Sequence, residues 1–247
     1  MSFVLIFSLT SCAGAGSRLS SANRKLSSSP YRVTTKISFA SSDAECAAAL
    51  YGLGGANFPM TVDGDAVMVS AKTTEHGVQM ELTLRVIDGV LYYYAEAEGL
   101  IYRFFIKLSE QEKLELDEKY LSRPTISYSD FKHAEFVREG EDSEIICTDL
   151  SEAKRDAALG QILVSTASVR DFGSAELIDA TMHFSLKDGK FRLVTTEYRF
   201  SLAIGGRQTE ATMRVEQAYV YDGVPEVTVP SDLFIYDEVS YRDLFGE

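Results

Sequence analysis

Apolar and polar residues alternate with a period of two along most of this chain, which is typical of β-strands covered on one face only. In the first such segment, Tyr31, Val33 and Ile37 fall on one face, while Arg32 and Lys36 fall on the other. The pattern predicts a strand that begins at Tyr31 and has one buried face.

Two pairs of alternating segments are joined by Asp-Gly, which is a strong signal for a two-residue hairpin turn. Asp88-Gly89 joins residues 78–86 to 90–96, and Asp188-Gly189 joins residues 181–186 to 191–202. Consecutive strands joined by tight turns are antiparallel. We therefore expect antiparallel meanders, with further strands at 67–72, 100–108, 135–138, 144–147 and 211–216 and an edge strand within 219–230.

Helical spacing of apolar residues is restricted to a few segments. Helices are predicted from Ser151 to Ala167, from Ser109 to Leu121 and, more weakly, from Asp43 to Leu53. The expected fold class is α+β and mainly β, with a curved antiparallel sheet.

The N-terminus has a different pattern. An apolar run over residues 3–7 leads into Leu9-Thr10-Ser11-Cys12, in which a thiol follows small residues and an aliphatic residue stands three positions before it. This is the pattern of a bacterial lipobox, and the run has the length of a signal-peptide apolar region. It predicts a signal peptide over residues 1–11 and lipidation of Cys12. Because no Lys or Arg precedes the run, a start truncated upstream is also considered.

The serine-rich stretch that follows predicts a flexible tether over residues 12–30, since it offers little apolar surface to bury. The alternative is that Met1 to Leu9 form a buried strand and that Cys12 is an ordinary thiol. A single domain is expected over residues 31–230, and residues 231–247 form a C-terminal tail that either docks or frays.

The formal net charge of the 247 residues is −13, and residues 1–11 contribute nothing to it. A polyanion is repelled by phosphates. The composition therefore disfavours nucleic acid as a partner and leaves membrane attachment to the acyl chains on Cys12.

Two cysteines remain once Cys12 is assigned to lipid. A disulfide between Cys46 and Cys147 is allowed in an oxidising compartment, and the alternative is that both are buried small hydrophobes. No CxxC motif occurs, so redox catalysis has no support.

Motifs for catalysis or metal binding are not found. The sequence contains no GxSxG, HExxH or phosphate-binding glycine loop, and His76, His133 and His183 are isolated from one another. An EF-hand loop beginning at Asp63 fails because Met68 and Thr74 occupy its sixth and twelfth positions. We expect no metal, no cofactor and no enzymatic activity.

The chain is rich in aromatic residues, with 13 Tyr and 14 Phe. Leu91, Tyr93 and Ala95 share one strand face, and Tyr102, Phe104, Ile106 and Leu108 form a similar row. Such rows either fill a core or line a cavity for an acyl chain.

The order of these elements resembles the LolA-like lipoprotein superfamily, in particular its LppX/LprG-type and DUF6612-type bacterial members. The resemblance rests on the lipobox, the two meanders, the segment Ile145-Ile146-Cys147-Thr148-Asp149-Leu150 leading into a helix, and the closing Tyr-Asp-Gly-Val-Pro-Glu-Val-Thr-Val-Pro at 221–230. It implies a half-barrel of antiparallel strands wrapped over two or three helices, with a lipid-binding cavity between them and no catalytic residue.

The leading functional hypothesis is therefore a membrane-anchored extracytoplasmic lipoprotein, non-enzymatic, that binds a lipid or another hydrophobic ligand. The residues expected on the concave face are Leu82, Leu84, Leu91, Tyr93, Met182, Phe184 and Met213. The alternative is a structural or interaction module of the cell envelope with a filled core, which binds an envelope protein partner through its acidic surface. A hydrolase with an assembled site is a third hypothesis.

Overall fold

The structure, a computed structural model of the chain, describes residues 5–51, 53, 57–75, 78–119, 126–166, 172–204 and 207–245. The fold is α+β and mainly β, with mostly antiparallel strand pairing, as the alternation predicts. The helices are α1 (Leu5–Ser27), α2 (Ala44–Leu50), α3 (Glu110–Lys119), α4 (Glu152–Thr166) and α5 (Tyr241–Phe245). The strands are β1 (Tyr31–Ser41), β2 (Asn57–Asp63), β3 (Ala66–Glu75), β4 (Val78–Ile87), β5 (Val90–Ala97), β6 (Leu100–Lys107), β7 (Phe131–Arg138), β8 (Ser143–Leu150), β9 (Phe172–Lys187), β10 (Lys190–Ile204), β11 (Arg207–Val220) and β12 (Asp237–Glu238).

The chain divides into two compact units. Unit 1 comprises Met1–Leu26, Thr34–Asn57 and Pro124–Tyr219, and unit 2 comprises Ser27–Val33, Phe58–Arg123 and Val220–Glu247. The segment predicted as a single domain, residues 31–230, thus contains parts of both units. The helices predicted at Ser151, Ser109 and Asp43 are present as α4, α3 and α2.

The strands of unit 1 follow the order β1-β11-β10-β9-β8-β7. The strands β9, β10 and β11 pair in an antiparallel meander, as predicted. At the β9–β10 turn, Asp188 and Gly189 have φ values of 53° and 68°. Positive φ at both central residues is what a type I′ hairpin turn requires, and the Asp-Gly pair supplies it at little steric cost.

One face of the unit 1 sheet is covered by helices and closely packed. Its strand residues bury completely or nearly so against side chains of α1, α2 and α4, among them Ala158 and Ile162 of α4 and Leu50 of α2. The largest fully buried side chains in this cluster include Tyr198 and Phe200 of β10. The core of unit 1 is therefore filled by the chain itself.

Helix α1 corrects the prediction of a flexible tether over residues 12–30, because the helix extends to Ser27. Ala15, Leu19 and Ala22 are 0% exposed within the core of unit 1. Their spacing of four and three residues places them on one helix face. This apolar stripe is narrow and consists mostly of alanine, so the sequence pattern did not distinguish it from the surrounding serines. The alternative of a buried strand up to Leu9 is also wrong, since the described residues from Leu5 onward are helical.

We expect Leu19→Ala to lower the free energy of unfolding by about 2–5 kcal/mol, because it leaves a cavity in a closely packed core. Chemical denaturation of the full chain measures the effect. The matched control is Leu114→Ala in α3, whose leucine is 61% exposed and whose truncation should change the free energy by about 0.5 kcal/mol or less. An equal, small effect at both positions would show that α1 is not part of the core.

The strands of unit 2 follow the order β12-β6-β5-β4-β3-β2. The hairpin predicted at Asp88-Gly89 is confirmed, and both residues have positive φ. A second such turn, at Glu98-Gly99 between β5 and β6, has φ values of 51° and 78°. Glu98-Gly99 is a weaker signal for such a turn, because Glu is less usual at that position than Asn or Asp.

The C-terminal segment docks on unit 2. The edge strand predicted within 219–230 is wrong: β11 ends at Val220, and residues 221–230 form no strand, in agreement with the two prolines they contain. Beyond them, β12 pairs in parallel with β6, and the amide of Val239 donates to the carbonyl oxygen of Phe105 at 3.1 Å. The side chains of Val239 and Tyr241 pack against the buried cluster of this unit.

Candidate functional site

Cys12 lies in α1, three residues before Ala15. Ala15 is the first of the buried residues that α1 contributes to unit 1. No helix among the described residues has the length and apolar character needed to cross a membrane. Lipidation of Cys12 stays a prediction, now placed on a helix instead of a flexible segment.

The candidate ligand-binding residues divide between the two units. Met182, Phe184 and Met213 belong to unit 1 and are 3%, 4% and 0% exposed within its filled core. The ring of Phe184 lies 5.7 Å from that of Phe191, centroid to centroid, and meets the ring of Tyr128 edge-on. These side chains contact one another and the helices, so the prediction that they line a ligand cavity is not met in this structure.

The other candidates, Leu82, Leu84, Leu91 and Tyr93, belong to unit 2 and share one face of its sheet. The pairing of β3 to β6 arranges this face in three straight rows across the four strands. The rows are Val67–Val86–Leu91–Ile106, Val69–Leu84–Tyr93–Phe104 and Ala71–Leu82–Ala95–Tyr102. None of these twelve positions carries a charged side chain. We call this surface the apolar face of unit 2.

Burial changes steadily across the apolar face. In the first row, Val67, Leu91 and Ile106 are 5%, 0% and 2% exposed, and Leu116 of α3 together with the docked C-terminal segment packs over them. The second row is half-buried throughout. The third row ends at Tyr102, which is 58% exposed. Within the described part of the chain, the face is thus buried at one end and exposed at Tyr102 at the other.

The middle row contains a pair of stacked aromatic rings. The rings of Tyr93 and Phe104 lie 4.4 Å apart between centroids, with an angle of 10° between their planes. Because Tyr93 and Phe104 are paired across neighbouring strands, stacking turns the two ring faces toward each other and leaves the ring edges as apolar surface. Phe104, Tyr102, Val69 and Ala71 extend the site beyond the residues selected from sequence, although Tyr102 and Phe104 already stood out there as an apolar row.

The opposite face of the same strands carries the charged residues. Lys72 forms an ion pair with Glu81 at 2.9 Å between Nζ and Oε2, and the Arg103 guanidinium lies 5.5 Å from the centre of the Tyr94 ring. Tyr94 donates a hydrogen bond to the carboxylate of Glu96, and this bond raises the pKa of Tyr94. The segregation of charge fixes which face of the sheet can accept an apolar ligand.

Cys46 and Cys147 are buried free thiols in the structure. The disulfide that the sequence allowed is not formed, and the alternative, two buried small hydrophobes, describes both residues. Cys147 lies in the core of unit 1 beside Met182, its pairing partner on β9. Burial raises the pKa of Cys147 from its ordinary value of 9.0 to about 12.

We expect the Cys147 thiol to resist alkylation by iodoacetamide at about pH 8 in the folded protein and to react once the chain is unfolded, because the thiolate is the reacting species.

The raised pKa of Cys147 also makes the stability of the fold depend on pH. Between pH 9 and about 12 the unfolded chain loses this proton while the folded chain keeps it, so the free energy of unfolding falls with rising pH. In Cys147→Ala the free energy of unfolding should fall less between pH 9 and about 12, as measured by chemical denaturation at several pH values in this range. Equal falls in both proteins would contradict the assignment.

Two histidines lie in the described part of the chain, and both are exposed. His133 has its Nε2 atom 3.8 Å from a carboxylate oxygen of Asp149, which also pairs with Lys132. This is the geometry of a surface ion pair and not of an enclosed acid–base site. His183 is exposed on β9, and His76 lies outside the described residues.

A small polar pocket of about 60 Å³ lies where α2 meets β11. Its walls include Asp43, Glu45 and Arg207, and Arg207 donates to Glu45 at 2.6 Å. This volume is well below the roughly 300–1,000 Å³ of a typical small-molecule site.

Comparisons with known proteins identify no family for the chain. No family model matches it, and no curated protein does. Among solved structures, the ywiB protein from Bacillus subtilis has a TM-score of 0.18 and 8% identity, over 77% of this chain and 91% of that chain. A putative thioesterase II from Thermobifida fusca YX has a TM-score of 0.13 and 13% identity, over 76% and 78%. A conserved protein of unknown function with a hot dog fold, from Alicyclobacillus acidocaldarius, has a TM-score of 0.14 and 12% identity, over 78% and 79%.

Proposed function

We propose that this chain is a membrane-anchored extracytoplasmic lipoprotein, acylated on Cys12, that binds the acyl chain of a lipid on the apolar face of unit 2. It acts without catalysis, as a carrier, chaperone or sensor of its ligand. The fold proposed for it is the half-barrel of the LolA-like lipoproteins, whose element order it resembles.

The observation that carries the proposal is the difference between the two units. In unit 1, helices cover the apolar sheet face and bury it almost completely. Among the described residues of unit 2, the corresponding cover buries the first of three apolar rows, and Leu84 and Phe104 of the second row pack at the margin of this cluster. The second and third rows are half-buried, except for the exposed Tyr102. A continuous, partly exposed apolar surface of this kind favours a binding site.

The chemistry of the open rows favours an acyl chain over a polar ligand. Leu82, Leu84 and Ala95 supply aliphatic surface, and the stacked Tyr93 and Phe104 rings add their apolar edges. An extended hydrocarbon chain needs contact area and no hydrogen bonds, and each methylene removed from water contributes about 0.8 kcal/mol. A polar ligand would leave its hydrogen-bonding groups without partners on this face.

A photoactivatable fatty acid tests the proposal. The full chain is incubated with an alkyl-diazirine palmitate probe and irradiated, and the labelled peptides are identified by mass spectrometry. We expect labelling that excess unlabelled palmitate removes, concentrated on peptides from β4, β5 and β6. Labelling of the filled sheet of unit 1 should be weak, and its β9 and β10 peptides serve as the internal control.

Uniform labelling along the chain, or labelling that palmitate does not compete, would contradict ligand binding on this face. That result would favour the alternative hypothesis, an envelope interaction module that acts through its acidic surface. Such a module predicts capture of a cationic partner that weakens as salt is raised.

A further inference from the structure

Helix α1 contacts unit 1 from Gly14, in its middle, to Lys25, near its end. A Cβ atom built on Gly14 would lie 3.4 Å from Cε2 of Phe136 in β7. One turn later, Arg18 donates from Nη2 to the carbonyl oxygen of Gly140 at 2.9 Å, in the β7–β8 turn. Near its end, Lys25 donates from Nζ to the carbonyl oxygen of Asp188 at 2.8 Å, in the β9–β10 turn.

Between these contacts the helix contributes fully buried residues to the core. Ala15, Leu19 and Ala22 are all 0% exposed, and all of them follow Cys12 in the chain. Removal of residues 1–11 by a signal peptidase would therefore leave every one of these core contacts in place. The segment between Cys12 and Ala15 spans at most about 10 Å even when fully extended.

We infer that α1 is a rigid stem that holds one edge of unit 1, strand β7 with the β7–β8 turn, against the surface of the lipid bilayer. The inference rests on the proposed acylation of Cys12, because the acyl chains fix that residue at the membrane. The short distance to Ala15 and the close approach of Gly14 to Phe136 then bring β7 to the headgroup region. A flexible tether would allow no such fixed approach.

The side chains of this edge indicate which kind of membrane surface it fits. Strand β7 is the last in the sheet order, and Val137 on it is 61% exposed. The adjoining turn carries exposed Glu139, Glu141 and Asp142. The exposed Lys132 and Arg138 of β7 are each paired with a carboxylate, on Asp149 and Glu144, so the turn leaves the edge net negative. Anionic headgroups repel such an edge, and it therefore fits a surface of net-neutral lipids.

The test measures how close two positions of unit 1 come to a bilayer. The chain contains no tryptophan, so one introduced tryptophan is the sole energy donor. The full chain is coupled through the Cys12 thiol to a maleimide-bearing lipid in phosphatidylcholine vesicles that contain a dansyl-labelled lipid as acceptor. Coupling must be absent in Cys12→Ala, since Cys46 and Cys147 are buried.

The two positions compared are Val137 and Lys36. Lys36 is exposed on β1, five strands from β7 in the sheet order of unit 1, which is roughly 24 Å across the sheet. We expect strong energy transfer to the dansyl lipid in Val137→Trp and at least a several-fold weaker transfer in Lys36→Trp. Equal transfer at the two positions would overturn the inference.

An insertion variant tests whether α1 connects Cys12 to unit 1 as a rigid stem or as a flexible tether. Ten Gly and Ser residues inserted between Ala13 and Gly14 should lower the transfer in Val137→Trp to the level of Lys36→Trp, because the linker releases β7 from the surface. A difference that survives the insertion would also contradict the stem. Because the vesicle coupling is chemical, these outcomes do not depend on acylation in a cell, which fatty-acid labelling of the full chain in a bacterial host tests separately.

Discussion

Replacing Cys12 by alanine is expected to abolish fatty-acid incorporation when the full chain is produced in a bacterium that makes lipoproteins. The Sγ atom of Cys12 is the proposed attachment point of the lipid, and alanine has no nucleophile to replace it. The measurement is metabolic labelling with an alkyne fatty acid, followed by coupling to a fluorophore and gel analysis. The membrane-bound fraction should fall at least about tenfold, because two or more acyl chains are what makes such an anchor stable.

The matched control is Cys46→Ala, which removes a thiol from the same unit but from a buried position. It should keep full labelling. Labelling that persists in Cys12→Ala, or that is lost equally in Cys46→Ala, would show that Cys12 is not the acylated residue. A parent chain that takes up no fatty acid at all would contradict the lipoprotein assignment itself.

Leu82→Glu is expected to lower the affinity of the apolar face for palmitate by at least about tenfold, which corresponds to about 1.4 kcal/mol. The new carboxylate would stand in the third row between Ala71 and Ala95, in a surface that otherwise carries no charge. A bound acyl chain would have to strip water from this carboxylate without offering it a partner. Saturable photolabelling with the palmitate probe measures the change.

Thr83→Glu is the matched control, because Thr83 neighbours Leu82 on the same strand and lies on the opposite, charged face. It adds the same charge to the same strand but should leave palmitate binding unchanged. Leu82 is half-buried and lies outside the buried cluster of unit 2, so the fold should tolerate the substitution, and a denaturation curve checks this. Equal losses of binding in both variants would show that net charge, and not the apolar face, controls binding.

The sheet could be predicted well from local pattern. Alternation with a period of two located most of the described strands, although β2 and β12 were not predicted. The Asp88-Gly89 and Asp188-Gly189 turns identified two antiparallel hairpins. These predictions succeeded because each depends on neighbouring residues alone. The edge strand predicted within 219–230 failed, since two prolines outweighed the local alternation of apolar residues.

The candidate site was only partly predictable. Leu82, Leu84 and Tyr93 were selected as apolar strand residues, and so were Met182 and Phe184. Their local patterns are alike, yet the first three are half-buried and the other two belong to a filled core. The two groups differ in whether a helix covers their sheet face, and a strand's own sequence does not determine this.

The sequence by itself determined the strands, their turns, the strong acidity and the lipobox-like segment that ends at Cys12, because composition and short-range spacing define each of these. Only the tertiary structure decided that the serine-rich segment after Cys12 is a core helix, that Cys46 and Cys147 are free buried thiols, and that one apolar sheet face is covered while another stays open. The physical reason is that burial depends on contacts between residues far apart in the chain. Leu19 and Leu82 are both leucines among polar neighbours, and packing partners supplied by other segments decide that one lies in the core and the other at an open surface.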